Sequence, residues 1–159
     1  MQITILCVGK IKETFLKEGI DFYVRRLQPY CTLKLVEVAD EPGPDHLKEE
    51  ELLLVKEKEG KRLLERIKPD QYVIALDLKG KSLSSEELAA KLEELALYGR
   101  SNLVFIIGGS YGLAQEVLKR ADFSLSFSRL TFPHQLMRLI LLEQIYRSFK
   151  IMKGEPYHK

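Results

Sequence analysis

YVIALDLKGKSLSSEELAAKLEELALYGRSNLVFIIGGSYG, residues 72–112, contains two short apolar runs, one amphipathic segment and a glycine-rich end. YVIAL (72–76) and LVFII (103–107) are continuous rather than alternating, the pattern of strands covered on both faces. Between them Ser84 and Ser85 precede Glu86 and Glu87, and Leu88, Leu92 and Leu95 recur at helical spacing. A capped amphipathic helix therefore crosses from one strand to the next. Strand, crossover helix and strand make a parallel pair, and the alternation continues in both directions.

Upstream, QITILCV (2–8) and LKLVEV (33–38) read as strands joined by a helix over 12–27. Pro42, Gly43 and Pro44 form a turn-rich break, after which Leu52, Val55, Leu63 and Ile67 line one face of a long charged helix closed by Pro69. Glu57 and Lys61 stand i,i+4 on that helix, and Gly60 interrupts it at about 1 kcal/mol relative to Ala, which fits a second helix passing close. Downstream come a short helix (113–120), a strand FSLSF (123–127), and a final helix from near Pro133 to about Met152. The fold class is α/β, a mostly parallel sheet flanked by helices, in one domain spanning 1–159.

With 45% hydrophobic and 30% charged residues the composition is that of a soluble globular protein. No run reaches the roughly 18 apolar residues that span a bilayer, and Met1 to Val8 has no basic leader, so a cytoplasmic protein without membrane association is expected. Cys7 and Cys31 lack metal or redox spacing and read as buried apolar fillers. The net charge of +2 is unevenly spread: residues 40–66 carry nine acids against six bases, residues 120–159 seven bases against three acids. The C-terminal region can form a basic face toward a polyanion, or an ordinary solvated helix.

Ligands of open α/β sheets bind beyond the carboxyl ends of strands, which directs attention to the loops after 76, 107 and 127. Gly80-Lys81-Ser82 resembles a phosphate loop, but Ala75 stands where the first glycine belongs and the residues before Gly80 extend a strand, which argues against triphosphate hydrolysis. Gly108-Gly109-Ser110-Tyr111-Gly112 lets backbone approach a ligand; a tight turn would look the same. Phe127-Ser128-Arg129-Leu130-Thr131-Phe132-Pro133-His134 offers hydroxyls, a guanidinium and an aromatic before a helix, with His134 read first as a helix-start residue.

The final helix is apolar nearly all round at 139–142 and then meets Glu143, which can pair with Arg147 one turn on as a buried ion pair or as part of a site. Such a helix also predicts burial in a subunit interface. The tail Gly154-Glu155-Pro156-Tyr157-His158-Lys159 is either frayed or an RNA-contacting tip, a ring to stack on a base and a lysine to meet phosphate.

Four fragments in order, ITILCVGKIKETF (3–15), IGGSYGL (107–113), FSRLTFPHQLMRLILLEQIYRSFKI (127–151) and GEPYHK (154–159), resemble the RlmH family of SPOUT methyltransferases across essentially the whole chain. The resemblance implies a SPOUT fold with a C-terminal trefoil knot, a connection almost absent among proteins, and a homodimer with S-adenosylmethionine (SAM) held in the knot. It implies that Leu76, Gly108, Phe127, Ser128, Arg129, Leu130, Thr131 and Phe132 contact SAM. Glu143, Arg147, Tyr157 and His158 are implied near the target base, the tail coming from the partner subunit. The implied activity is methylation of N3 of a pseudouridine in 23S rRNA of the assembled ribosome, by in-line attack of N3 on the methyl group, with no metal and no DNA partner. Either Glu143 or His158 is the candidate proton acceptor. Lys159 stands where some members have arginine, which weakens a bidentate phosphate contact there. The rival reading is a non-catalytic RNA- or ribosome-binding module on the same fold, which predicts no SAM affinity.

Overall fold

A computed structural model describes residues 1–43 and 46–159. Pro44 of the expected turn lies outside the described residues. The elements run β1 (Gln2–Val8), α1 (Thr14–Leu27), β2 (Thr32–Val38), α2 (Glu49–Leu64), β3 (Tyr72–Ser82), α3 (Ser85–Leu97), β4 (Asn102–Ile107), α4 (Gln115–Arg120), β5 (Phe123–Ser126) and α5 (His134–Lys153). The strands form one five-stranded sheet in the order β2-β1-β4-β3-β5, and every pair is parallel.

The continuous apolar runs sort by parity onto the two faces. Ile3, Ile5 and Cys7 of β1 and Leu103, Phe105 and Ile107 of β4 point to one face, where residues of α1, α3 and α5 cover them. Leu6 and Val8, with Val104 and Ile106, point to the other, against α2 and α4. Both faces are covered, which is why residues 5–8 and 103–107 carry no polar alternation. On the first face α5 packs against both α1 and α3. Its Leu141, Leu142 and Ile145 are fully buried within the one chain. The place of α5 between two helices of its own subunit accounts for part of its all-round apolar character, while Leu136, Leu139 and Ile140 stay half-buried.

Gly60 of α2 behaves as expected: a Cβ there would lie 3.0 Å from that of Ala114 and 3.2 Å from Val117 Cγ2, so α2 and the α4 segment touch at the glycine. The Glu57–Lys61 pair does not close among the described residues; Arg62 and Lys58 reach Glu41 instead, at 2.6 and 3.4 Å. α3 starts with a capping box, Ser84 Oγ accepting from the Glu87 amide and Glu87 returning to the Ser84 amide.

The segment expected as a loop after Leu76 is a continuation of β3. Leu125 of β5 is in register with both Leu76 and Lys81, so residues 77–80 form an excursion from the ladder. A Cβ at Gly80 would lie 2.7 Å from the Ser124 carbonyl. The glycine of Gly-Lys-Ser serves backbone packing against β5. Cys7 is buried and Cys31 only half-buried. Burial pushes the Cys7 thiol up to about 12, out of reach of thiolate chemistry. Among the described residues no helix is long and apolar enough to cross a membrane.

Candidate functional site

Three adjacent strands bring the loop residues together. Ala75 is in register with Ile106 of β4, and the next residue, Leu76, with Leu125 of β5. Gly108 and Phe127 therefore emerge two residues beyond these partners, on either side of Leu76, at one edge of the sheet. After β4 the chain folds back at once: the Gly112 amide donates to the Gly109 carbonyl at 3.1 Å, with Gly112 at φ +88°. A Cβ at Gly108 would lie 2.9 Å from the Gly112 carbonyl carbon, so this hairpin admits only glycine at its base. Opposite it, Ser128 shapes the 127–132 loop. Its hydroxyl accepts from the Leu130 amide at 2.9 Å, and its carbonyl accepts from Ser126 Oγ at 3.2 Å. Leu76, Phe127 and Phe132 pack against the core from this edge, while Arg129, Leu130 and Thr131 are exposed. Apolar walls, two hydroxyls and a Cβ-free strand end suit a flat heterocycle carrying a polar sugar.

The second group is drawn together by the tail. Gly154 ends α5 in the left-handed conformation, φ +66°, and the chain turns back along the helix. Tyr157 donates its hydroxyl to Glu143 Oε2 at 2.7 Å, and its ring packs edge-on against Tyr146 at 4.9 Å and under the Arg147 guanidinium at 4.7 Å. Arg147 also donates to Glu143 Oε2 at 3.0 Å, and Gln144 to Glu143 Oε1 at 2.8 Å. His158 receives Arg147 Nη1 at Nδ1, 3.1 Å, and meets Glu86 Oε1 through Nε2 at 2.5 Å. A guanidinium only donates, so Nδ1 accepts and the ring proton sits on Nε2, facing Glu86. Burial and the Glu143 hydrogen bond push the Tyr157 phenol well above its usual range, so it stays a donor.

All four residues expected near the target base thus lie together, and the tail is docked rather than frayed. It docks on its own chain's α3 and α5. Among the described residues no hydrogen bond joins this cluster to the 127–132 loop. Glu86, Gln144 and Ser85, whose hydroxyl donates to Gln144 at 2.7 Å, complete the cluster. Sequence reading assigned Glu86 to the helix cap alone, because an acid in a first turn is ordinary there.

A feature the sequence did not announce lies beyond β1, β2 and β4. A cavity of about 420 Å³ is lined by residues of five separate segments, among them Lys10, Lys12, Asp40, Glu59, Tyr111 and His134. Glu59 is 4% exposed. Its Oε2 accepts from the Glu41 amide at 3.0 Å, but its Oε1 has no partner. Burial raises its carboxyl above the usual range. Burial and the neighbouring Arg138 lower His134. Arg138, itself buried, ties the floor by donating to the carbonyls of Val8 and Gly9 and to Glu37 at 2.6–2.9 Å.

A family profile described as "Predicted SPOUT methyltransferase" matches residues 1–158. Over all 159 residues, and over the full length of each relative, the chain is 64% identical to "Ribosomal RNA large subunit methyltransferase H" of Carboxydothermus hydrogenoformans and 61% identical to the protein of the same description from Alkaliphilus oremlandii. Among solved structures, a "probable methylase family protein" of Haemophilus influenzae superposes with a TM-score of 0.54 at 13% identity, covering 99% of this chain and 70% of that one, a likeness of fold.

Proposed function

The chain belongs to the SPOUT methyltransferase family, and we propose that it methylates N3 of a pseudouridine in the 23S rRNA of assembled ribosomes, using SAM, as a cytoplasmic homodimer. The observation that carries this reading is the convergence of Leu76, Gly108 and the 127–132 loop at the edge of β4, β3 and β5, fixed by strand register. The full-length relatives described as large-subunit rRNA methyltransferases support the substrate.

SAM, when bound, supplies a methyl group on a sulfonium that leaves as a neutral thioether. Leu76, Phe127 and Phe132 would flank its adenine, with Ser128 and Thr131 offering hydroxyls, Arg129 and Leu130 forming the exposed lip, and Gly108 letting the backbone come close. The 77–80 excursion beside β5 and the place of α5 between α1 and α3 are consistent with a knotted C-terminal segment, and we take the chain to be knotted there. Among the described residues of one subunit the tail cluster and the cofactor loops are not hydrogen-bonded; a two-fold pair would set the cluster of one subunit against the loops of its partner.

The residues of this chain must hold the target base and accept its N3 proton. Arg147, with guanidinium N–H groups to spare, is a donor suited to the base carbonyls; it and Tyr157 are held in place by Glu143, whose two oxygens take three donors. His158 is oriented by Arg147 and Glu86. Positioning of this kind supplies a large part of a transfer barrier.

The test is transfer of labelled methyl from SAM to ribosomes lacking the modification, beside free rRNA, with the labelled nucleotide mapped. Label at the pseudouridine N3 on ribosomes and scarcely on free RNA is expected; no label despite SAM binding rejects the substrate. Glu143→Gln should slow single-turnover transfer at least about 100-fold, the lower range for a lost acid–base group, with SAM affinity unchanged. If neither Glu143→Gln nor His158→Ala slows the chemical step, the proton goes to water.

A further inference from the structure

The cavity beyond β1, β2 and β4 belongs to neither the cofactor loops nor the tail cluster, yet it shares a wall with the first. Gly109, Ser110 and Tyr111 line it, and Gly108 before them is the cofactor-side end of the same hairpin. Gly109 is kept free of a Cβ by Glu59, whose Oε1 would lie 3.0 Å from it. Glu59 Oε1, a buried side-chain atom without a partner among the described residues, belongs to a residue that lines this cavity. A buried polar atom left unpaired costs about 1–3 kcal/mol, and in a cavity it marks a place whose hydrogen bonding is completed by something else.

The charges say what that something carries. Glu37 is committed to Arg138, and Glu41 to Arg62 and Lys58. Among the described residues Asp40 and Glu59 form no salt bridge, while Lys10 and Lys12 are exposed on the same rim. A simple anion would meet the carboxylates, and a simple cation would meet the lysines and Arg138. A ligand with N–H donors on one part and a negative charge on another satisfies both. Tyr111, 37% exposed, adds a ring at the rim, and about 420 Å³ accommodates one nucleoside.

We propose that this cavity binds one unpaired nucleotide of the RNA substrate, its base on Tyr111, its N–H edge toward Asp40 and Glu59, and its phosphate toward Lys10 and Lys12. The proposal rests on the rRNA methyltransferase reading. It gives the enzyme a second point of RNA recognition one hairpin away from the cofactor loops, so that filling the cavity and ordering the Gly108 strand end are mechanically linked. Stacking on an exposed aromatic is the sequence-tolerant way to hold a base taken out of a helix.

Two measurements test it: binding of a fluorescent uridine hexanucleotide to the intact protein, and KM for ribosomes lacking the modification, each beside SAM affinity as a control on folding. Tyr111→Ala is expected to weaken the hexanucleotide and raise the ribosome KM at least tenfold, with SAM affinity unchanged, while Tyr111→Phe keeps the ring and retains both. Replacing Lys10 and Lys12 by alanine should flatten the salt dependence of hexanucleotide binding by roughly 0.7 per lysine. Wild-type transfer to ribosomes with the KM and salt slope unchanged in these variants overturns the cavity and leaves the methyltransferase reading standing. Loss of hexanucleotide binding in Tyr111→Ala while the wild-type protein transfers no methyl group keeps the cavity and rejects the reading.

Discussion

The two faces of the sheet are built from different residues. Against α2 and α4 the buried cluster is aliphatic, made of Leu, Val, Ile and Ala with no aromatic ring among the described residues. Against α1, α3 and α5 the cluster holds Phe105, Tyr146 and Phe149 and gathers Tyr23, Tyr30, Phe127, Phe132 and Tyr157 at its margins. An aliphatic face can only pack. A face rimmed by tyrosines packs with the ring and keeps a hydroxyl for polar partners, and the tail cluster hangs on one such hydroxyl, that of Tyr157. The division is therefore physical: one side is built to pack, and the other also keeps hydroxyls for polar partners.

That contrast breaks if the supporting side proves to affect chemistry directly. Leu63→Ala, a fully buried residue of the aliphatic cluster, should cost about 2–5 kcal/mol in denaturant unfolding. Methyl transfer per folded molecule should be unchanged. A fall in that rate at temperatures where the variant stays folded would join the two faces functionally. Tyr157→Phe is the converse. It removes one hydrogen bond, about 0.5–1.5 kcal/mol, yet should lower single-turnover transfer about tenfold by freeing Glu143 and the tail; a loss of stability without loss of rate would make the tail a structural latch only.

The smallest effect concerns Glu59, on the boundary. Burial raises its carboxyl, so the folded protein holds this proton more tightly than the unfolded chain does. Stability from the neutral form is present at low pH and lost as pH rises from the ordinary value of 4.5 through the raised one. Glu59→Gln should flatten the fall in unfolding free energy as pH rises above 4.5. An identical slope in both proteins would mean that Glu59 is ionised in the folded state across that range.

Much of this was legible beforehand, for identifiable reasons. Strands β1, β3 and β4 stood out because burial on both faces leaves unbroken apolar runs at 5–8, 73–76 and 103–107, and the α3 cap because Ser84 and Glu87 act within one turn. The close pass at Gly60 was readable because a glycine inside a helix needs a reason. The extension of β3 was hidden by Asp77, Lys79 and Lys81, residues whose side chains say solvent, although the ladder to β5 resumes at Lys81. The loop residues of the cofactor edge were found by the rule that ligands gather at strand ends, but the cavity was not. It is assembled from five segments distant in sequence, and Glu59 sits in a helix whose other acids are ordinary surface charges.

Strand order has a consequence for how the molecule comes into being. Strand β1 is the first of the five to be synthesised, and one of its two neighbours, the central strand β4, pairs Asn102 with Gln2. Until most of the chain has been synthesised, β1 can pair only with β2, leaving an apolar edge waiting for its second partner. Pairings this far apart in sequence form slowly, so the nascent protein must spend its early life shielded, and completion of the sheet falls near the end of its own translation.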